Sequence, residues 1–441
     1  MHLSLREWEY LKIGEAGGAE TVARDVANGL IAAAVASPLG GEEGQNILIN
    51  GHKRLRAQQV VGMLVSRQAT LEILPKIDTL ETSATRTNLV HMLARVFDLN
   101  VETGGGIAVD TQKKDLLEVF IGAFCQGLFE AIRKGLARSY IRRENDLPAM
   151  RGRIDIKRQF TVLAVSPQKL ACRYEELDPD IPLNQVMKAT VGRLSRLSRS
   201  LENQRRLSEL SFALAEVTAI PVQSLPWNNV VLDRTNVAWS SLLRLARLFL
   251  NSDFQTISAG SHSGFSLLFE MNVLFEEYIG RTMRAALSHE EFTVQLQGPR
   301  EFVLRDQNGH RRFATRPDIV VRREGKIALI VDTKWKRLKG ALEDPKRGVG
   351  QADIYQMIAY AHVYRCDRLL LLYPHEEGAD DEEGVISTLS VQGTEKTKIY
   401  IASISLVDLQ TVECRLLALV QQIFGAPVTG AVPAALAAQL D

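Results

Sequence analysis

Four cysteines stand in 441 residues, at positions 125, 172, 366 and 414, and no two form a C-x-x-C pair. That scatter excludes the common zinc and redox frameworks and argues for reduced, buried thiols. No apolar run approaches the length of about 20 residues that a membrane helix needs; the longest, such as residues 327–331, are the length of a core strand. The first residues, Met-His-Leu-Ser, lack a basic stretch followed by an apolar one, so a cytoplasmic protein with no membrane contact is expected. Three catalytic signatures are missing as well. Without GxxxxGK[ST] no nucleotide is expected to bind this chain alone, and without HExxH or GxSxG two large hydrolase classes drop out. A surplus of charge is also lacking: the formal net value is +1, so any polyanion partner has to be argued from where the charges lie.

What is present is the composition of a globular protein, 46% hydrophobic and 24% charged, in a chain too long for one ordinary core. The expected class is α+β multidomain. Residues 1–110 alternate in the manner of strands around a basic turn, His52, Lys53 and Arg54, before the helical pattern TRTNLVHMLARVFDL. Residues 111–250 form a helical and hairpin region. It opens with KKDLLEVFIGAFCQGLFEAIRKGLARSYI as one long amphipathic helix, returns to strand around Arg151, Gly152 and Arg153, and is helical again to about Val217. A third block, 251–425, contains SLLFEMNVLFEEYIGRTMRAAL, read as a helix, and the strand RLLLLYP; residues 426–441 have the composition of a flexible tail.

Charge concentrates between residues 300 and 347, where fourteen basic residues face seven acidic ones. Such a surface suits the phosphates of a nucleic acid, with Arg316, Arg322, Arg323, Lys336, Arg337 and Lys339 placed to flank it. Inside this stretch, DIVVRREGKIALIVDTK reads as a hairpin with Gly325 supplying the left-handed turn residue. That turn sets Asp318 across from Asp332 to within one residue. Strand alternation then sends Asp332 and Lys334 to one side, with Val331 and Thr333 to the other. Two converging carboxylates repel unless a cation sits between them, and Mg²⁺, with Mn²⁺ as the alternative, is the hard ion that suits such a pair. Asp318 and Asp332 are therefore the expected metal ligands and Lys334 the expected charge-stabilising group, which points to phosphodiester hydrolysis. Gln356 and Tyr360 lie one helical turn apart downstream.

Pro317 with Asp318, then Asp332-Thr333-Lys334, resembles the PD-(D/E)XK nuclease motif, and Gln356 to Tyr360 resembles the QxxxY element of its RecB-like members. More narrowly, EMNVLFEEYI, RPDIVV, DTKWK and QMIAYAHVY, in that order, resemble the McrC family, the nuclease subunits of McrBC modification-dependent restriction systems. LEILPKI, TNLVHML, MRGRIDI and CRYEELDPDIPLN are similar to that family's amino-terminal half, so the resemblance spans nearly the whole chain. The chain departs from the pattern at SPLGGEEGQN and at the acidic insertion HEEGADDEEG, residues 375–384.

The resemblance implies a restriction-endonuclease-like core with a mixed sheet flanked by helices. It also implies an Mg²⁺-dependent DNA endonuclease that cuts when docked on an AAA+ GTPase, the McrB-like partner, at double-stranded DNA carrying modified cytosine. It carries Asp318, Asp332 and Lys334 over directly, and adds Glu276 as an acid near the metal with Gln356 and Tyr360 as supporting catalytic residues. Two other readings stay open: a stand-alone RecB-like repair or processing nuclease, and a non-catalytic activator of an AAA+ ring.

Overall fold

In the computed structural model, the described residues are 1–14, 21–77, 81–98, 116–166, 168–234, 236–251, 265–288, 291–338, 344, 346, 348–376 and 382–425. The expected tail at 426–441, Lys339 and residues 377–381 of the acidic insertion lie outside them. The fold is mixed α and β, and the chain divides into two compact units. Residues 1–113 and 254–441 make one, and residues 114–253 the other. The expected segments 1–110 and 251–425 therefore belong to the same unit.

That shared unit holds a six-stranded mixed sheet in the order Phe292–Leu296, Ile319–Arg323, Lys326–Thr333, Arg368–Pro374, Thr394–Ile404, Gly384–Val391. The three strands Lys326–Thr333, Arg368–Pro374 and Thr394–Ile404 run parallel to one another, and both outer pairs are antiparallel. The central strand RLLLLYP buries five consecutive side chains because both faces are covered, which is why it reads as an unbroken apolar run. Helix Gln351–Tyr364 covers one face, packing Met357, Tyr360 and Tyr364 against Ile330, Leu369 and Leu371. It ends at Arg365 in the left-handed region, whose N–H closes on the Ala361 carbonyl.

The amino-terminal residues build a second sheet, ordered His2–Arg6, Thr70–Leu74, Val60–Val65, Phe265–Glu270. Its fourth strand overturns an expectation: SLLFE begins a strand, and the helix starts only at Met271, running Met271–Ala286. A short, mainly apolar run carries no periodicity that separates a buried strand from a buried helix, and the partner strand lies some 200 residues away in sequence. The helix shows its own amphipathic face, burying Leu274, Phe275, Tyr278, Ile279 and Met283 against helices Thr82–Phe97 and Val412–Phe424.

The unit of residues 114–253 is helical around a small antiparallel sheet of Ser139–Leu147, Leu170–Asp178 and Arg153–Ile154. The long helix expected to run through ARSYI stops at Arg133, and Ser139 onward is a strand; Lys134 and Gly135, the latter at φ 120°, break it. The helical stretch ending near Val217 is two helices, Pro182–Leu197 and Leu201–Ala213. Its buried carboxylate, Glu118, is satisfied by the Ser198 hydroxyl at 2.7 Å and the Asn203 amide at 2.8 Å, so it is structural. Three cysteines are buried free thiols as expected, but Cys414 is exposed.

Gly62 tests the closure of the amino-terminal sheet. It sits at φ 123° opposite Leu268, and a Cβ there would lie 2.0 Å from the Leu267 carbonyl oxygen. Gly62→Ala is expected to cost at least about 1–3 kcal/mol, because both the backbone angle and the strand spacing must yield. Urea unfolding measures this, and an unchanged midpoint would contradict the pairing of Val60–Val65 with Phe265–Glu270.

Candidate active site

The hairpin turns through Glu324 and Gly325 with φ of 50° and 77°, two consecutive left-handed residues that match the right-handed twist of the flanking strands. Arg323 pairs with Lys326, a register that by itself would leave the two acids one residue out of step. An irregularity between Val321 and Arg322 shifts the pairing so that Ile319 faces Val331. Extended by one residue, that register sets Asp318 opposite Asp332. The bulge is thus what brings the carboxylates level.

Asp332 is 1% exposed, at the carboxyl end of a strand flanked by a parallel neighbour, the edge where open sheets gather polar groups. Its Oδ2 contacts the Lys334 ammonium as an ion pair, and its Oδ1 lies 3.5 Å from the Tyr360 hydroxyl. Asp318 accepts through Oδ2 from the Thr333 N–H at 2.8 Å and the Thr333 hydroxyl at 3.1 Å. Thr333 therefore does not turn away from the site as strict alternation required. Its hydroxyl reaches the acid at the end of the neighbouring strand.

Lys334 is fixed at both ends. Its backbone N–H donates to the Leu372 carbonyl at 2.9 Å, and its Nζ donates to Gln356 Oε1 at 3.3 Å. Gln356 Nε2 in turn donates to the Tyr360 hydroxyl at 2.7 Å, and that hydroxyl donates to the Arg316 carbonyl at 3.0 Å. Helix Gln351–Tyr364 thereby aims an amide oxygen at the lysine. Glu276, on the helix Met271–Ala286, accepts from the Gln297 amide, and Gln297 N–H is bonded to the Asp318 carbonyl. All six residues expected at the site converge.

Three further residues join them: Thr333, Gln297 and Asp353. Asp353 is buried, pairs with Lys336 at 3.2 Å, and lies three residues before Gln356 on the same helix face, a spacing that could have marked it. The basic residues of the segment are less free than their number suggests. Arg316 donates to the Gly298 and Gln297 carbonyls, Arg323 pairs with Glu291 and Arg337 with Glu376. In the other unit, Arg151 stacks 4.1 Å from the Tyr174 ring centre and pairs with Glu176.

The electrostatics follow from burial. Burial, and then the charge of Asp318, push Asp332 up to about 6 even though the Lys334 ion pair pulls the other way. Asp318 is raised mainly by burial, against the two Thr333 hydrogen bonds. Glu276 reaches about 7, from burial first and Asp318 second, with Asp332 adding to it. Burial pulls Lys334 down, but Asp332, Asp318 and Asp353 more than offset this and leave it raised. Among the described residues no group of three or more acidic, histidine or cysteine side chains is arranged to hold a metal. The donor set fits a cation that takes one or two carboxylates and completes its shell with water and phosphate oxygens, as Mg²⁺ does. The buried Asp332 Oδ2, met by the Lys334 ammonium alone among the described side chains, is an oxygen suited to that role.

A mixed sheet with an acid pair and a lysine at one strand end, joined to a second sheet and a separate helical unit, defines a multidomain α+β protein with a polar site built for charge. The sequence profile described as McrBC 5-methylcytosine restriction system component matches residues 55–374, and the chain belongs to that family. The fold is similar to a chain of the refined half-complex from a tetradecameric assembly of Thermococcus gammatolerans McrB AAA+ hexamers with bound McrC. The TM-score is 0.67 at 17% identity, covering 96% of this chain and 100% of that one. A chain of the Thermococcus gammatolerans McrBC complex seen by cryo-electron microscopy gives 0.52 at 21% identity, over 65% of this chain and 88% of that one. Among curated proteins no sequence matches.

The raised acids predict a pH signature. A carboxyl whose folded pKa lies above its unfolded value binds protons more tightly in the folded state, so stability is lost as pH rises from the unfolded toward the folded pKa. For Glu276 that window runs from 4.5 to about 7. Glu276→Gln keeps an acceptor for Gln297 and removes the charge. Without divalent metal it should melt with wild type near pH 4.5 and be more stable by about 1–2 kcal/mol above pH 7, a figure discounted for partial exposure. A gain that is the same at both pH values would show that the carboxylate is not strained there.

Proposed function

We propose that this chain is the DNA-cleaving subunit of a modification-dependent restriction complex, hydrolysing phosphodiester bonds with Mg²⁺ at a PD-(D/E)XK site. The observation that carries the reading is the convergence of Asp318, Asp332 and Lys334 at one strand end in a member of this family. Asp318 and Asp332 would hold the ion, which when bound would lower the pKa of a coordinated water and neutralise charge on the phosphate. Lys334, held by the Gln356 oxygen, places a fixed positive charge where charge develops on the phosphate oxygens. Tyr360 locks Gln356 in that orientation. Glu276, with a pKa of about 7, can take or return a proton near neutral pH.

The partner in this reading is an AAA+ GTPase of the McrB kind, by analogy with the Thermococcus assembly of McrB hexamers with bound McrC. The substrate is double-stranded DNA carrying modified cytosine, which fits the family description. Residues 1–250 are not a natural unit for testing the partner's role, because they lack Phe265–Glu270 and leave Val60–Val65 with one of its two sheet neighbours.

The full chain is therefore the right vehicle. Asp332→Ala, mixed with the partner, should stop cleavage of methylated plasmid in Mg²⁺ and still stimulate GTP turnover. Lys334→Ala should lower the cleavage rate by about 10²–10³-fold with metal affinity largely kept. Wild-type cleavage by Asp332→Ala sinks the site, and cleavage by the full chain with no partner sinks the complex.

The basic surface makes a separate prediction. DNA affinity should fall steeply with salt and depend little on sequence, and Arg322→Ala with Arg323→Ala should flatten the salt slope by about 0.9 for each phosphate that is no longer neutralised. An unchanged slope would mean that these two arginines only solvate the hairpin.

A further inference from the structure

Glu7 is a buried acid that this mechanism leaves unused. It is 0% exposed, directly after the strand His2–Arg6 of the amino-terminal sheet. Its backbone N–H donates to the Leu74 carbonyl at 3.0 Å, so the sheet fixes it. Its Oε2 accepts two hydrogen bonds, from the Lys76 N–H at 3.1 Å and from the indole Nε1 of Trp335 at 3.1 Å, whereas Oε1 is buried with no hydrogen bond. Burial is what raises its pKa to about 7, against those donors. A buried carboxyl with one oxygen unsatisfied is costly to keep, so its position is expected to have a use.

Trp335 shows what that use is. It is the residue between Lys334 and Lys336 in the turn that leaves the sheet, where the Lys336 N–H donates to the Lys334 carbonyl at 2.9 Å. The Gln59 amide donates to the Trp335 carbonyl at 3.3 Å, and the Met271 N–H donates to the Gln59 carbonyl at 3.3 Å. The indole also packs on Phe275, ring centres 5.3 Å apart, and Phe275 is the neighbour of Glu276. One side chain thus ties the amino-terminal sheet, the helix carrying Glu276 and the backbone carrying Lys334. Aromatic packing alone leaves the indole free to adjust by torsion about its side-chain bonds, and the N–H to Glu7 is the directional bond that limits this freedom.

We propose that Glu7 is a positioning residue for cleavage, holding the Trp335 indole from the amino-terminal sheet and through it the backbone that aims Lys334. This rests on the nuclease reading of Asp318, Asp332 and Lys334. Glu7 touches neither substrate nor ion, so its loss should change the rate of the chemical step and not the binding of DNA.

The test is single-turnover cleavage of methylated plasmid by the full chain with its partner, alongside DNA affinity and a melting curve. Trp335→Phe keeps the ring against Phe275 and drops only the N–H, and Glu7→Leu removes the acceptor at similar volume. Each should slow cleavage by about 10–100-fold, the range typical when a group orienting a catalytic side chain is removed, with DNA affinity unchanged. The double variant should be no slower than the slower single one, since both break the same hydrogen bond. Glu7→Gln, which still accepts from the indole, should recover most of the rate. A wild-type rate for Trp335→Phe overturns the proposal, as do effects that multiply in the double variant or DNA affinity that falls in step with the rate. Asp332→Ala in the same assay separates the two readings: if it too cleaves normally the nuclease site is wrong, and if it is dead while Trp335→Phe is normal only the role of Glu7 is.

Discussion

Two carboxylates at the ends of adjacent strands, one of them 1% exposed, repel each other with little solvent to screen them. Most of what is unusual around the six-stranded sheet compensates for that pair. The Lys334 ammonium contacts Asp332, the Thr333 N–H and hydroxyl turn to Asp318, and Tyr360 sits behind both acids. Each compensation needs a backbone held in place. The bulge after Val321 levels the acids, and the Lys334 N–H stays bonded to Leu372 although the ladder has ended at Thr333. A buried ion pair rarely adds net stability, because desolvation takes back what attraction supplies. The arrangement is therefore better explained by what it holds ready than by what it stabilises.

The two sheets of the larger unit are joined by more than proximity. Phe265–Glu270 completes the amino-terminal sheet and runs straight into the helix that carries Glu276, so a strand and a site residue are separated by six positions of continuous structure. Trp335 adds the second tie, from the other end of the site. A displacement of the amino-terminal sheet reaches Glu276 along a helix and Lys334 through an indole, without a flexible link on either route. Under the proposed function this gives a motor docked elsewhere on the chain a physical means of altering the site, because packed elements shift between discrete arrangements and do not bend continuously.

Legibility in the sequence follows distance along the chain. Asp318, Asp332 and Lys334 can be placed together because a two-residue turn and strand alternation are local rules, and Gln356 with Tyr360 because a helical turn is local too. The bulge, which decides the register, has no signature in VVRREGKIALI that separates it from a regular hairpin. The strand Phe265–Glu270 reads as helix because its identity depends on Val60–Val65, and Glu7 gives no local signal because its partner is Trp335, 328 residues away. Asp353 is within reach of the helical rule, one turn from Gln356, but an acid on a helix surface is usually solvated and its type alone does not mark it. The family resemblance supplies Glu276, which no local rule links to the acids.

The acids also show what the fold gives up. Asp332 near 6, with Glu276 and Glu7 near 7, are groups whose neutral forms the folded chain prefers, so at neutral pH each charge held on them works against folding. A sequence shaped for stability alone would place amides at 276 and 7 and keep the hydrogen bonds described for them. Gln297 would still donate to a glutamine at 276, and Trp335 to one at 7. Carboxyl groups offer what amides lack: a negative charge that holds hard cations strongly, and, at these raised pKa values, proton exchange near neutral pH. Asp332 and Glu276 lie where both abilities serve phosphodiester chemistry. Glu7 lies outside that reach and keeps only the second, so whatever it contributes passes through the indole it holds.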